Sequence, residues 1–286
     1  MIYLKSLSLV IFVLFSLIEN VYAGNKLNVF VSILPQQYFV QQVGTEYIEV
    51  QVMVGPGQNP ATYDPTPQQM VALANADIYF SIGVPFESAW LDKIKNNNKL
   101  TVVECCKWLA NLNNHEHSHD HTNYSDPHIW TSPVKVMQIT ELVKNSLKDK
   151  DGINTNSYEK SAAEFINQLQ NLDMLVQYKT ANLRKRDIIV SHPSWSYFAD
   201  EYGFNQIAIE QEGKEIQASS MVKLIKLAIE NNVKAIFVQP QFNHKAAEVI
   251  AKEIDAKILI LDPLAFNYIE NMINVTNKIV EGLSYE

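Results

Sequence analysis

The sequence predicts an α/β protein of two lobes, each with a mainly parallel β-sheet flanked by helices, joined by one long helix. Three observations predict it. Short β-rich runs alternate with amphipathic helical stretches from Lys26 onward, the signature of βα units. A single stretch from Tyr158 to Arg184 breaks that alternation with a purely helical pattern. The 286 residues also exceed what one core comfortably fills, since domains are commonest at roughly 100 to 150 residues.

The chain opens on Met1 to Ala23, with Lys5, an apolar run from Leu7 to Ile18 and the small-residue ending Val21-Tyr22-Ala23. This reads as a secretory signal peptide cleaved after Ala23. The run is too short for a transmembrane helix, which takes about 20 residues. No cysteine lies near the cleavage point to carry a lipid, so the mature chain is expected to be soluble and, in a Gram-negative cell, periplasmic.

Strands are expected at Leu27 to Ser32, Ile48 to Val54, Ile78 to Ile82 and Leu100 to Glu104 in the first lobe, residues 24–155. The second lobe, residues 186–286, is expected to hold Asp187 to Ser191, Gln206 to Glu210, Ala235 to Val238 and Lys257 to Leu261. Helices fall between them. One should begin at Thr66-Pro67, where Thr66 caps the first turn and Pro67 suits the first helical position. The linking helix, placed within residues 156–185, has no Gly or Pro and carries Ala162, Phe165, Ile166, Leu169, Leu172, Leu175 and Val176 at helical spacing. At 1.5 Å per residue it is roughly 40 Å long, a stiff strut between lobes.

Composition narrows the function. A formal charge of −8 argues against nucleic acid as a partner, because phosphate binding needs a basic surface. The only cysteines, Cys105 and Cys106, are adjacent and build no disulfide framework; they read as two buried or half-buried thiols at a strand end.

Metal chemistry is suggested instead. His115, His117, His119 and His121 alternate with Glu116 and Asp120 in a tract that suits loose binding of Zn, Ni or Cu. Directly after it, Pro127 constrains the loop bearing His128, and Ser132-Pro133 starts a helix. His192 follows the strand Asp187 to Ser191 and precedes Pro193. Asp262 follows the strand Lys257 to Leu261 and precedes Pro263. Three candidate ligands thus sit beyond the carboxyl ends of strands or on a fixed loop, where open α/β sheets bind their ligands. Two imidazoles and one carboxylate suit Zn2+, with Mn2+ and Fe2+ as alternatives.

The motifs GPGQNPATYDPTPQQM (55–70), ADIYFSIGVPFE (76–87), DPHIWTSP (126–133), IIVSHPSWSYFADEYG (188–203) and AIFVQPQFNHKAAEVIAKEIDAKILILDPLA (235–265) span nearly the whole mature chain. Together they resemble the solute-binding proteins of zinc and manganese ABC transporters. That resemblance implies two lobes joined by a long helix, a metal held between them and delivery to a membrane permease by a monomer. It assigns His128, His192 and Asp262 as ligands. The family's remaining histidine lies in a P-H-x-Y motif, and here the chain reads Pro60-Ala61-Thr62-Tyr63, so Ala61 stands in its place. Water or a histidine of the 115 to 121 loop is the readiest repair, since a loop reaches a cleft without rearranging the sheet. Asp262 binding through both oxygens, Glu210, Glu212 or Glu215, and an amide oxygen from Gln239-Pro240-Gln241 are further sources. His244, at a predicted helix start, is expected to be exposed.

A three-ligand zinc site with an open position is also the layout of a zinc hydrolase. The chain has no GxSxG elbow, and the balance falls on a binding protein and not an enzyme. A metal buffer or adhesin without a transporter is the other alternative.

Overall fold

The computed structural model describes residues 26–96, 99–106, 126–210 and 216–284. Among the described residues eight strands form two four-stranded sheets. The first has the order β2-β1-β3-β4, from β1 (Leu27–Val31), β2 (Ile48–Val52), β3 (Ile78–Ser81) and β4 (Thr101–Glu104). The second repeats it as β6-β5-β7-β8, from β5 (Asp187–Val190), β6 (Asn205–Ala208), β7 (Ala235–Val238) and β8 (Lys257–Ile260). Every pairing is parallel. All eight expected strands are present, and six of them end one or two residues earlier than the expected runs.

Burial follows position in the sheet. The inner strands β3 and β7 are buried at every residue, as helices cover both faces. The edge strand β2 exposes Glu49 and Gln51 and turns Ile48 inward. In both sheets the strand order reverses between the two inner strands, which opens a crevice at their carboxyl ends.

The helices are α1 (Leu34–Gly44), α2 (Pro67–Ala74), α3 (Pro85–Lys95), α4 (Pro133–Lys150), α5 (Thr155–Thr180), α6 (Ser196–Tyr202), α7 (Ala218–Glu230), α8 (Lys245–Glu253) and α9 (Tyr268–Leu283). The cap read from sequence is present: Thr66 Oγ1 accepts from Gln69 N at 3.2 Å and opens α2. Ser132 does the same for α4, accepting from Lys135 N at 3.3 Å.

The linking helix α5 has 26 residues, about 39 Å. It ends four residues before Arg184, where Leu183 N bonds Thr180 O at 3.2 Å and the Arg186 guanidinium takes the Ala181 carbonyl. Its buried face is Tyr158, Ala162, Phe165, Leu169, Leu172, Val176 and Thr180, which packs on α1 and α4 of the first lobe and α9 of the second. Aromatic rings close the junction: Phe39 of α1 lies 4.8 Å from Tyr268 of α9, edge to face, and Tyr38 lies 5.8 Å from Phe165. One apolar core therefore runs from the first lobe through α5 into the second. A separate cluster fills the outer face of the second sheet under α7 and α8. Lobes sharing a core resist large hinge motions.

Among its described residues the first lobe fully buries one carboxylate. Glu87 on α3 accepts from Ile82 N at 2.9 Å and Gly83 N at 2.8 Å, and Ser32 also donates to it. Burial is the main influence and pushes its pKa up to about 6, against the pull of those hydrogen bonds.

Candidate metal site

His128 sits on the loop before α4. Pro127 restricts Asp126, and the Asp126 side chain folds back so that Oδ1 accepts from His128 N at 2.9 Å and meets the ring at Nδ1, 2.6 Å away. Asp126 is in turn held from across the cleft. Ser196 Oγ of α6 donates to its Oδ2, and Tyr197 Oη donates to its carbonyl at 3.1 Å. Burial alone would raise the Asp126 pKa, but the bonds from His128 and Ser196 and the His128 charge outweigh it and hold the carboxyl below its ordinary value.

His192 follows β5 at the switch point. The neighbouring strand end clamps its backbone: Gln239 Oε1 accepts from His192 N at 3.1 Å while Gln239 Nε2 donates to His192 O at 2.7 Å. The ring stacks on Phe242 with centroids 4.0 Å apart and planes at 18°. Its Nδ1 faces Glu210 Oε1 at 3.3 Å.

The two imidazoles come from opposite lobes and meet with centroids 5.5 Å apart at 75°. Each has its Nδ1 against a carboxylate, which leaves Nε2 as the atom available to a metal. Carboxylate–imidazole pairs of this kind fix the tautomer and raise ligand basicity. Both rings line a cavity of about 1090 Å³ whose wall also contains Ala61, Glu210, Gln241 and Phe242. Ala61 lies in a turn, with its N bonded to Asn59 Oδ1 at 2.8 Å, so the position lacking the resembled histidine faces the same space.

Asp262 is close by but not in that wall. It lines an adjoining cavity of about 510 Å³, and Gln241 and Leu264 form part of both. Its Oδ1 accepts from Gln241 Nε2 at 2.7 Å and Leu264 N at 2.9 Å. Among the described residues no three His, Cys, Asp or Glu side chains gather as a metal-binding group.

The other candidates separate clearly. Glu210 braces His192. His115, His117, His119, His121, Glu212 and Glu215 lie outside the described residues, as does the signal peptide. His244 is half-buried and not exposed, because its Nε2 bonds the Gln239 carbonyl at 2.6 Å. Cys105 is buried and Cys106 half-buried, as the sequence suggests. Burial pushes both thiols up, which disfavours the thiolate a metal would need. Sequence reasoning missed the role of Asp126; its signal was an acidic residue two positions before a histidine on a proline-locked loop.

Residues 29–282 match the family described as ZnuA, zinc-uptake complex component A, periplasmic. The chain is 28% identical over 254 residues to the high-affinity zinc uptake system protein ZnuA of Bacillus subtilis, covering 84% of this chain and 79% of that one. It is 25% identical over 255 residues to the zinc-binding lipoprotein AdcA of Streptococcus pneumoniae, covering 85% of this chain but 51% of AdcA, about half its length. A crystal structure of ZnuA superposes with TM-score 0.83 at 36% identity, covering 90% of this chain and 99% of that one. A zinc-bound ZnuA deletion mutant superposes equally well, with TM-score 0.83 and 36% identity over 92% of this chain and all of that one. The chain belongs to the ZnuA family of periplasmic zinc-uptake components, which are solute-binding proteins of metal ABC transporters and not enzymes.

Proposed function

We propose that this chain captures Zn2+ between Nε2 of His128 and Nε2 of His192, with Asp262 as the carboxylate ligand, and delivers it to the permease of its transporter. The observation that carries the reading is the meeting of the two rings across the lobes, each with Nδ1 held by a carboxylate. Asp262 Oδ1 is engaged by Gln241 and Leu264, so Oδ2 is the oxygen it offers. A small approach of the Asp262 loop toward the histidines would bring that oxygen to the metal, and the shared core favours small movements.

The mature protein starts after Ala23 and works in the periplasm as a monomer; one chain supplies both histidines, so capture needs no second copy. Its acidity suits it to cations and not to nucleic acid. Residues 115–119, His-Glu-His-Ser-His, match the spelling of the His-Glu-x-x-His zinc-protease motif. That motif needs a helix to put both histidines on one face, and here it lies in an Asn- and His-rich tract without helical periodicity.

Calorimetric titration of the stripped mature protein with zinc, manganese and iron tests the reading. Zinc is expected to bind tightest, and His128→Ala with His192→Ala to abolish tight binding. Retained tight binding in that double variant would refute the site. Acidification should also weaken binding, because the metal requires neutral imidazole.

A further inference from the structure

Gln239 and Gln241 leave β7 two residues apart and are used in opposite ways. The Gln239 amide oxygen is fully occupied: Oε1 accepts from Ser191 Oγ at 2.9 Å and His192 N at 3.1 Å, while Nε2 donates to His192 O at 2.7 Å. Gln241 is only half occupied. Its Nε2 donates to Asp262 Oδ1 at 2.7 Å, while its Oε1 is buried with no hydrogen-bond partner among the described residues. The Asp262 carboxylate can only accept, so the Gln241 amide cannot flip without facing oxygen to oxygen. Its orphaned oxygen therefore has a fixed direction. Buried amide oxygens without a donor are costly and rare, and each calls for an explanation such as an ion.

Gln241 also stands in the wall of the cavity that contains His128, His192 and Ala61. We propose that Gln241 Oε1 is a metal ligand of this chain, filling the coordination place left by Ala61, with Asp262 aiming the amide through Nε2. The proposal rests on the zinc-capture reading above. Gln239 cannot serve, since its oxygen already accepts two bonds. Ser194 Oγ is also buried, unpartnered and in the same wall, but its hydroxyl rotates freely, whereas the Gln241 oxygen is held in one direction by the bond to Asp262.

The exchange of donors has a consequence for specificity. An amide oxygen is a harder donor than an imidazole and suits manganese relatively better. This chain should therefore hold zinc less tightly, and with a narrower margin over manganese, than its own Ala61→His variant.

The test titrates the mature protein with zinc and manganese and records the visible absorption of the cobalt-loaded form. Gln241→Leu should weaken zinc binding about 10- to 100-fold and shift the cobalt bands. Adding Ala61→His to Gln241→Leu should restore zinc affinity. Wild-type affinity and an unchanged cobalt spectrum in Gln241→Leu overturn the proposal. So does weakened affinity with an unchanged cobalt spectrum, which would make Gln241 only a brace for Asp262. Failure of Ala61→His to restore binding overturns the claim that the two positions serve one coordination place. If Gln241→Leu fails to fold, as judged by thermal unfolding without metal, Gln241→Asn keeps the amide but withdraws its oxygen and should show the same weakening. Lost binding in His128→Ala with normal binding in Gln241→Leu defeats this proposal alone, whereas retained binding in His128→Ala, His192→Ala defeats both.

Discussion

Trp130 donates its indole N–H to the carbonyl oxygen of Pro263 at 2.7 Å, and so fastens the loop of His128 to the residue that follows Asp262. Both groups are buried, and the bond joins chain segments 133 residues apart. Trp130→Phe keeps most of the ring but leaves the Pro263 oxygen buried and unpaired. The expected cost is about 1 to 3 kcal/mol. Urea unfolding should show a lower midpoint with an unchanged slope, and zinc titration should show weaker binding because the Asp262 loop has lost its anchor.

Asp126 aims His128 and is itself gripped by Ser196 of the other lobe. Asp126→Asn removes the negative partner of the ring, so zinc affinity should fall about 10- to 100-fold by calorimetry. The variant also changes acid stability. The folded pKa is depressed, so the contribution of this carboxylate is present above the unfolded value near 4 and is lost as pH falls through the lower folded value. Between about pH 5 and pH 3, unfolding curves should show a smaller loss of stability for Asp126→Asn than for the parent chain.

Glu87 has the opposite sign. Burial raises its folded pKa from 4.5 to about 6, so within that window the native state binds more protons than the unfolded one. Stability should therefore fall as pH rises from about 4.5 to about 6 and then level off, by an amount on the order of 2 kcal/mol. Glu87→Gln should flatten this segment of the profile measured by urea unfolding. A variant profile as steep as the parent's would assign the slope to another group.

Gly282 lets α9 approach β7 closely. A Cβ there would lie 2.8 Å from both Ala235 Cβ and Phe237 Cζ. Alanine would gain up to about 1 kcal/mol of helix propensity, but overpacking against a filled sheet costs about 1 to 3 kcal/mol. The crowding wins, so Gly282→Ala should lower the melting temperature, whereas Gly152→Ala, with nothing within 4 Å, should not crowd any neighbour.

Much of the fold was legible because its signals are local. Strand runs such as Ala235 to Val238 are apolar throughout because both sheet faces are covered, and α5 shows its buried stripe in the spacing of Phe165, Leu169, Leu172 and Val176. Thr66 and Ser132 marked helix starts because a cap involves residues only three apart. The helix end at Thr180 was not legible, as the Arg186 bond to Ala181 leaves no breaker residue in the sequence.

By itself, then, the sequence determined the α/β elements, their order, the long helix and the identity of His128, His192 and Asp262 as candidates for a metal. It also showed that Ala61 has no donor atom to offer a metal. Only the tertiary structure decided how those groups stand to one another: that Asp126 and Glu210 take the Nδ1 atoms, that Asp262 is bound to Gln241, and that the Gln241 oxygen is buried without a partner. The physical reason is range. Secondary structure follows from hydrogen bonds and apolar spacing within a few residues, whereas each of these site relations, apart from the pair Asp126 and His128, joins atoms brought together by the packing of separate strands.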